Sequence, residues 1–328
     1  MKRFGFLLLV ATGLAASPAF AADMATKAPA APAAPSLWDV VVTAALMSDY
    51  NFRGITQSNH KPSTQGGFEL RYNFNKSLQA YAGASGESIS FPNMAAGEID
   101  LYGGIRPTFN KLALDFGIWE YYYPGGKCFN PAAAACGGGP YGGAFVPGTA
   151  IGFPGGMTGN VVKADESFVE FYAKAAYTVN DNLSLGLQEW YSPSASNTGA
   201  YGWFTTGNAT VTLPSAWFSN GWGGYVSGDL GYWDLGTSDA FYGFTKYTSY
   251  GTWDAGFGWT WKVLTFDLRY YDTNLTRSEC NAFTSPQSVS FSPGNITTQN
   301  PNGLGTNWCG AAFIAKLSAS IDFNTNLK

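Results

Sequence analysis

Apolar and polar residues alternate with a period of two along most of this chain, the pattern of β-strands with two unlike faces. The end of the chain is clearest. Ala311, Phe313, Ala315, Leu317, Ala319, Ile321 and Phe323 share one parity; Ala312, Ile314, Lys316, Ser318, Ser320 and Asp322 share the other. Near the start, Val40, Val42, Ala44 and Leu46 alternate with Val41, Thr43, Ala45 and Met47, and this strand is predicted to run on through Asp49, Asn51 and Arg53. Phe68, Leu70, Tyr72 and Phe74 oppose Glu69, Arg71 and Asn73, and Leu112, Leu114, Phe116 and Ile118 oppose Lys111, Ala113, Asp115 and Gly117. Val169, Phe171, Ala173 and Ala175 oppose Glu170, Tyr172 and Lys174; Trp253, Ala255 and Phe257 oppose Asp254 and Gly256; Leu264, Phe266 and Leu268 oppose Asp267 and Arg269. Weaker runs at 77–87, 97–107, 182–192, 203–213 and 223–234 bring the total to twelve, the 203–213 run being weakened by Gly207 and Pro214.

The connections alternate too. Short turns are predicted near Asn75-Lys76, Phe109-Asn110, Asn180-Asp181 and Trp261-Lys262, and long loops at 56–63, 88–96, 123–164, 193–202, 235–247 and 276–309. The 214–222 connection is long for the short-turn side. An even strand count with such asymmetry predicts an all-β fold, a transmembrane antiparallel β-barrel with both termini periplasmic.

Composition agrees. Aromatic residues make up 16% and charged residues 12%, against roughly 25% charged in ordinary soluble domains. Mean hydropathy is −0.07, and no apolar run of helix-spanning length appears, which alternation reconciles. Tyr121, Tyr122 and Tyr123 are expected in an outer aromatic girdle and Trp259 and Trp261 in an inner one; a carbohydrate-stacking platform is the rival reading. Lys2 and Arg3, the apolar run Phe4–Ala16 and Ala19-Phe20-Ala21 read as a signal peptide over 1–22. Residues 23–37, rich in Ala and Pro, read as a periplasmic linker, which leaves 38–328 as the barrel. Outer-membrane lipids and the barrel-insertion machinery are the expected partners. The net charge of −4, without a basic stripe, argues against nucleic acid. The oligomeric state is open.

Four cysteines in an exported chain favour disulfides. Local pairing, Cys128–Cys136 and Cys280–Cys309, is the economical choice among three connectivities. Zinc is disfavoured because no pair has CxxC spacing and His60 is the lone histidine.

Several motifs resemble a known family. They are Ser48-Asp49-Tyr50-Asn51-Phe52-Arg53-Gly54-Ile55-Thr56-Gln57 with Gln65-Gly66-Gly67-Phe68, Glu98-Ile99-Asp100-Leu101-Tyr102-Gly103-Gly104 and Tyr121-Tyr122-Tyr123-Pro124-Gly125. Leu264–Leu268 and Tyr271–Leu275 add to them. Together they resemble the Gcw_chp or TorF-type proteobacterial porin family over roughly residues 39–323. The resemblance implies an outer-membrane barrel, a channel, and no particular substrate. The long loops 123–164 and 276–309 depart from the pattern, and Thr56 stands where serine is expected.

Chemistry-bearing motifs are sparse. A hydrolase would need a histidine base, and His60 lies in Ser58-Asn59-His60-Lys61, expected to be a solvated loop tip. No P-loop, dinucleotide fingerprint or metalloprotease helix occurs. Asp181-Asn182 and Asp272-Thr273-Asn274 could hold calcium weakly, with turn chemistry as the plainer role. No catalytic residue, metal or cofactor is expected.

The lumen is where function should lie. Parity assigns to it the acids Asp49, Glu69, Asp100, Asp115, Glu170, Asp229, Asp254, Asp267 and Asp322, and the bases Arg53, Arg71, Arg106, Lys174, Arg269 and Lys316. Asp49, Arg53, Asp100, Arg106, Asp267 and Arg269 are the candidate constriction. These charges could also pair and merely brace a narrow barrel. The expectation is a passive channel for small hydrophilic solutes or ions with mild cation preference; the alternatives are a non-conducting structural or adhesive barrel, and a hydrolase.

Overall fold

The computed structural model describes residues 37–128, 162–286, 290–291, 300 and 304–326. Its wall is a closed, all-antiparallel barrel of twelve strands. They are β1 (Trp38–Met47), β4 (Ser63–Asn75), β5 (Leu78–Glu87), β6 (Glu98–Phe109), β7 (Leu112–Tyr122), β8 (Phe168–Thr178), β9 (Leu183–Ser192), β10 (Gly202–Thr212), β11 (Trp222–Leu235), β12 (Tyr250–Trp261), β13 (Leu264–Thr273) and β16 (Ala312–Asp322). Shorter pieces include β2 (Asn51–Phe52), β3 (Ile55–Thr56), α1 (Arg277–Thr284), β14 (Ser290–Phe291), β15 (Leu304–Gly305) and α2 (Phe323–Asn326). Closure comes from β1 on β16, with Val41 opposite Asp322 and Met47 opposite Lys316. Each predicted strand is present, 203–213 included; Gly207 is accommodated inside β10, and Pro214 falls beyond its end.

The wall strands run from ten to fourteen residues, enough for the roughly 9–11 that a tilted strand needs to cross hydrocarbon. Parity decides burial. Leu46, Phe68 and Phe313 point outward and are 55%, 54% and 82% exposed, while Met47, Glu69 and Ile314 point inward and are buried. An apolar exterior over a polar interior is the inside-out distribution of a barrel whose outer solvent is lipid. Among the described residues, no helix is long and apolar enough to cross a membrane.

Turn chemistry separates the two ends. Asn110 and Lys262 take positive φ, +54° and +53°, in the turns between β6 and β7 and between β12 and β13. Asn180 Oδ1 accepts from the amides of Asn182 and Leu183, so Asn180-Asp181-Asn182 is turn chemistry. Asp272 likewise accepts from the Thr273 amide and the Tyr270 hydroxyl. At the short-turn end, Trp38, Tyr72 and Phe74 form an aromatic row, with centroids 4.8 and 4.9 Å apart. At the long-loop end, Tyr191 and Trp203 are 5.5 Å apart. One girdle expectation is corrected. Only Tyr122 of the tyrosine triplet faces outward; Tyr121 and Tyr123 turn inward and are buried, because alternation sends neighbours to opposite faces.

The first strand is also corrected. β1 ends at Met47 instead of running through Arg53. The chain then folds into the barrel as the β2–β3 hairpin, whose turn residues Arg53 and Gly54 have φ of +52° and +81°. Two consecutive positive φ values make the type I′ turn suited to a two-residue hairpin. Gly54 is required twice over: its backbone is left-handed, and a Cβ there would strike Thr273 and Thr252. The main hydrophobic core lies inside the barrel around this hairpin. Phe52 and Ile55 pack with Trp119, Tyr121, Trp190, Phe204, Trp233 and Trp308.

Cys280 and Cys309 are bridged as expected, with Cα atoms 5.8 Å apart. The expected partner of Cys128, Cys136, lies outside the described residues, as do most of the predicted signal peptide and linker.

Candidate functional site

The hairpin carries a cation into the centre of the barrel. The Arg53 guanidinium donates to both carboxylate oxygens of Glu170 on β8, at 2.8 and 2.7 Å. Both side chains are fully buried. The rings of Phe204 and Trp233 each lie 4.4 Å from the guanidinium carbon, and the Tyr121 hydroxyl donates to Glu170 at 3.2 Å. The Tyr250 hydroxyl donates to the Arg53 carbonyl at 3.0 Å. These partners come from β7, β8, β10, β11 and β12, so the hairpin spans the lumen in its long-loop half. Arg53 is thus no wall residue. It is the hub of the inserted hairpin, and burying it as a fork–fork pair offsets desolvation that would otherwise be prohibitive.

A polar knot holds the base of the hairpin. Asp49 accepts from the Thr56 hydroxyl at 2.5 Å and the Ser58 hydroxyl at 2.8 Å, and its other oxygen lies 2.9 Å from His60 Nδ1. Threonine at position 56 supplies the hydroxyl that serine would. His60 is exposed, as a loop-tip histidine was expected to be, but it is paired with Asp49 and so is not free. The hydrogen bond from Asp49 pushes its imidazole above the ordinary 6.5. His60 Nε2 faces the Asn307 carbonyl at 3.3 Å; Ser58 bonds Asp49, so no hydroxyl nucleophile sits on the imidazole.

Below the hairpin, two charge networks line opposite sides of the lumen. On β4, β6 and β7, Arg106 bonds Glu69 at 2.7 Å and Asp115 at 3.1 Å, and Arg71 bonds Glu69. Tyr81 donates to Asp115 at 2.5 Å and meets the Tyr172 hydroxyl. Lys174 stands opposite Asp115 in the sheet register and 4.2 Å from the Tyr172 ring. Across the barrel, Arg269 bonds Asp254 at 2.5 Å, Asp267 at 3.1 Å and the Ser227 hydroxyl at 2.7 Å. Lys316 faces Asp267 from the next strand.

Of the wall residues assigned by parity, Glu69, Arg71, Asp100, Arg106, Asp115, Glu170, Lys174, Asp267 and Arg269 are buried, and Lys316 stands opposite Asp267 in the register. Two of the residues expected at a constriction are placed differently. Asp49 and Arg53 belong to the inserted segment, and aromatic rings as well as charges surround it. Three inward acids were missed, Asp39, Glu87 and Glu98, all buried. They sit at strand ends, where the period-2 signal is shortest; extending the alternation Tyr81, Gly83, Ser85, Glu87 would have found one of them.

Above the hairpin, a small cleft of about 60 Å³ opens toward solvent. It is lined by Phe52, Phe91, Tyr123, Phe168, Trp233 and Glu166 among others. Burial and neighbouring Asp165 push the Glu166 carboxyl up to about 8.

The Gcw_chp family model, described as a bacterial protein of unknown function, matches residues 30–135. That stretch holds the Ser48–Gln57, Gln65–Phe68, Glu98–Gly104 and Tyr121–Gly125 motifs, so the family resemblance is borne out there. No curated protein matches the chain. Among solved structures, the NanC porin is similar at 7% identity and a TM-score of 0.41, covering 85% of this chain and 98% of that one. The KdgM porin is similar at 9% and 0.39, covering 86% and 99%. OmpT, an outer membrane protein of Vibrio cholerae, is similar at 10% and 0.34, covering 87% and 98%.

Proposed function

We propose that this chain, with the Gcw_chp signature in its N-terminal third, is an exported outer-membrane channel whose lumen is restricted by the Asn51–Thr56 hairpin. The observation that carries this reading is the barrel's division: an apolar outer belt for lipid, a charged interior for water and solute, and a hairpin pinned across it by Arg53 and Glu170. The signal peptide and linker fit delivery to the periplasm and handling by the insertion machinery. Small hydrophilic solutes or ions are the cargo that a narrow, charged conduit suits.

Cation preference follows from the interior charge. The inward-facing Asp39 adds to the acids that parity already placed in excess of the bases. Charges lining a low-dielectric passage act strongly on a permeating ion. Reversal potentials under a potassium chloride gradient test this. Cation preference is expected, moving toward anions when Asp229 and Asp254 are neutralised together and Arg269 loses a counter-charge. Anion preference in the native protein would refute it.

The hairpin itself favours one second reading. If it closes the lumen completely instead of narrowing it, the protein is a non-conducting structural barrel. A hydrolase gains no support from His60, whose Nε2 faces a backbone carbonyl.

A further inference from the structure

A carboxylate cluster at the long-loop end of the wall is used neither by the hairpin's ion pair nor by the two lower networks. Glu87 ends β5, Glu98 begins β6, and Asp100 follows two residues later. Glu87 and Glu98 stand directly opposite each other in the sheet, an arrangement of like charges that destabilises a strand pair. All three are buried, and each offers an oxygen within 4.8 Å of the others. Two oxygens on opposite sides of one calcium ion, at about 2.4 Å each, are separated by about that distance.

Crowded acids alone would prove nothing. The independent observation is a neutral side chain. Gln65 is opposite Glu87 on β4 and is 6% exposed. Its amide nitrogen donates to Glu87, and its carbonyl oxygen has no hydrogen-bond partner. Glu87 Oε2 and Asp100 Oδ1 also lack partners. Three buried acceptor oxygens on three different side chains thus accept no closed hydrogen bond. The Tyr50 hydroxyl goes to Glu98 at 2.6 Å, with Tyr123 as a second donor there, and the Ser85 hydroxyl goes to the other oxygen of Asp100 at 3.1 Å while also acting on Glu87. The Trp119 indole N–H approaches Asp100 and offsets part of its charge. One positive charge, that of Lys316, acts on Glu87 from the last strand. Unpaired buried acceptors and uncompensated negative charge are both costly, and one cation relieves both.

We propose that Gln65, Glu87, Glu98 and Asp100 form a binding site for a hard divalent cation of the calcium type. All-oxygen donors select calcium or magnesium over softer metals. Burial leaves little room for the water that magnesium retains, so calcium is the better occupant. Because Glu98 also holds Tyr50, the cation would tie the wall to the root of the hairpin.

The test uses the refolded full chain in detergent after chelator treatment. Terbium, a luminescent calcium substitute, should give aromatic-sensitised emission through nearby Trp119 and Tyr50, and calcium should displace it more readily than magnesium does. Glu87→Gln with Asp100→Asn should weaken terbium and calcium binding by at least tenfold. The same double variant relieves repulsion, so its metal-free thermal midpoint should exceed that of the metal-free native chain and be unmoved by calcium, which raises the native midpoint. Absence of terbium or calcium binding by the native chain would overturn the proposal, as would a double variant that binds equally well; either result would assign the cluster to shared protons.

Discussion

Arg53 and Glu170, 117 residues apart in sequence, meet through two hydrogen bonds in the interior of the barrel, where neither side chain reaches solvent. One comes from a hairpin tip and the other from the wall, so this pair makes the inserted hairpin part of the folded structure. Removing one partner strands the other as a buried charge. Arg53→Met should therefore cost roughly 3–5 kcal/mol, and Arg53→Met with Glu170→Gln should recover much of that. Denaturant unfolding of the refolded protein measures both. Equal losses in the single and double variants would mean that the pair is not coupled.

His60 is the chain's only histidine, so its proton resonances identify themselves in a tag-free sample. Asp49 raises its titration midpoint above 6.5. For a raised base, the stabilisation of the folded state is complete below the unfolded value, near 6.5, and disappears as pH rises through the folded value. The knot of Asp49, Thr56, Ser58 and His60 should accordingly loosen on the alkaline side. Nuclear magnetic resonance titration should place the midpoint above 6.5 and bring it down in Asp49→Asn. A native midpoint at or below 6.5 would show that the contact is not formed.

The Cys280–Cys309 bridge closes a sequence separation of 29 residues, and its loss should cost roughly 3 kcal/mol. It also acts on the hairpin. The Trp308 carbonyl accepts from the Thr56 amide at 2.9 Å, and the Cys309 carbonyl from the Thr273 hydroxyl at 2.5 Å. Replacing both cysteines by serine should accelerate deuterium exchange at the Thr56 amide while amides in the centre of β11 stay protected. Unchanged exchange at Thr56 would detach the bridge from the hairpin.

The wall was legible because one rule governs it: apolar residues such as Leu46 and Phe68 must meet lipid, and their neighbours cannot. The hairpin was not, because Asp49, Asn51 and Arg53 continue the parity of β1 while the backbone turns inward. Alternation describes a face and is blind to a chain that leaves the sheet. The turn signal, Arg53-Gly54, was available in the sequence but was absorbed into an extended strand. The unpaired oxygens of Gln65, Glu87 and Asp100 were beyond reach for a different reason. Strand registers bring them together across β4, β5 and β6, and no spacing along one strand encodes that.

The motifs that carry the family resemblance converge on the hairpin. Ser48–Gln57 forms it, Tyr121 and Glu98 bond its surroundings, and Thr273 packs beneath Gly54. Restriction of the lumen is therefore the central claim, and single-channel conductance in planar bilayers tests it most directly. The native protein should conduct weakly. A variant lacking Asn51–Thr56, with its wall verified by heat-modifiable gel migration, should conduct several-fold more. Equal conductance in the two proteins, or none in either, would contradict the account.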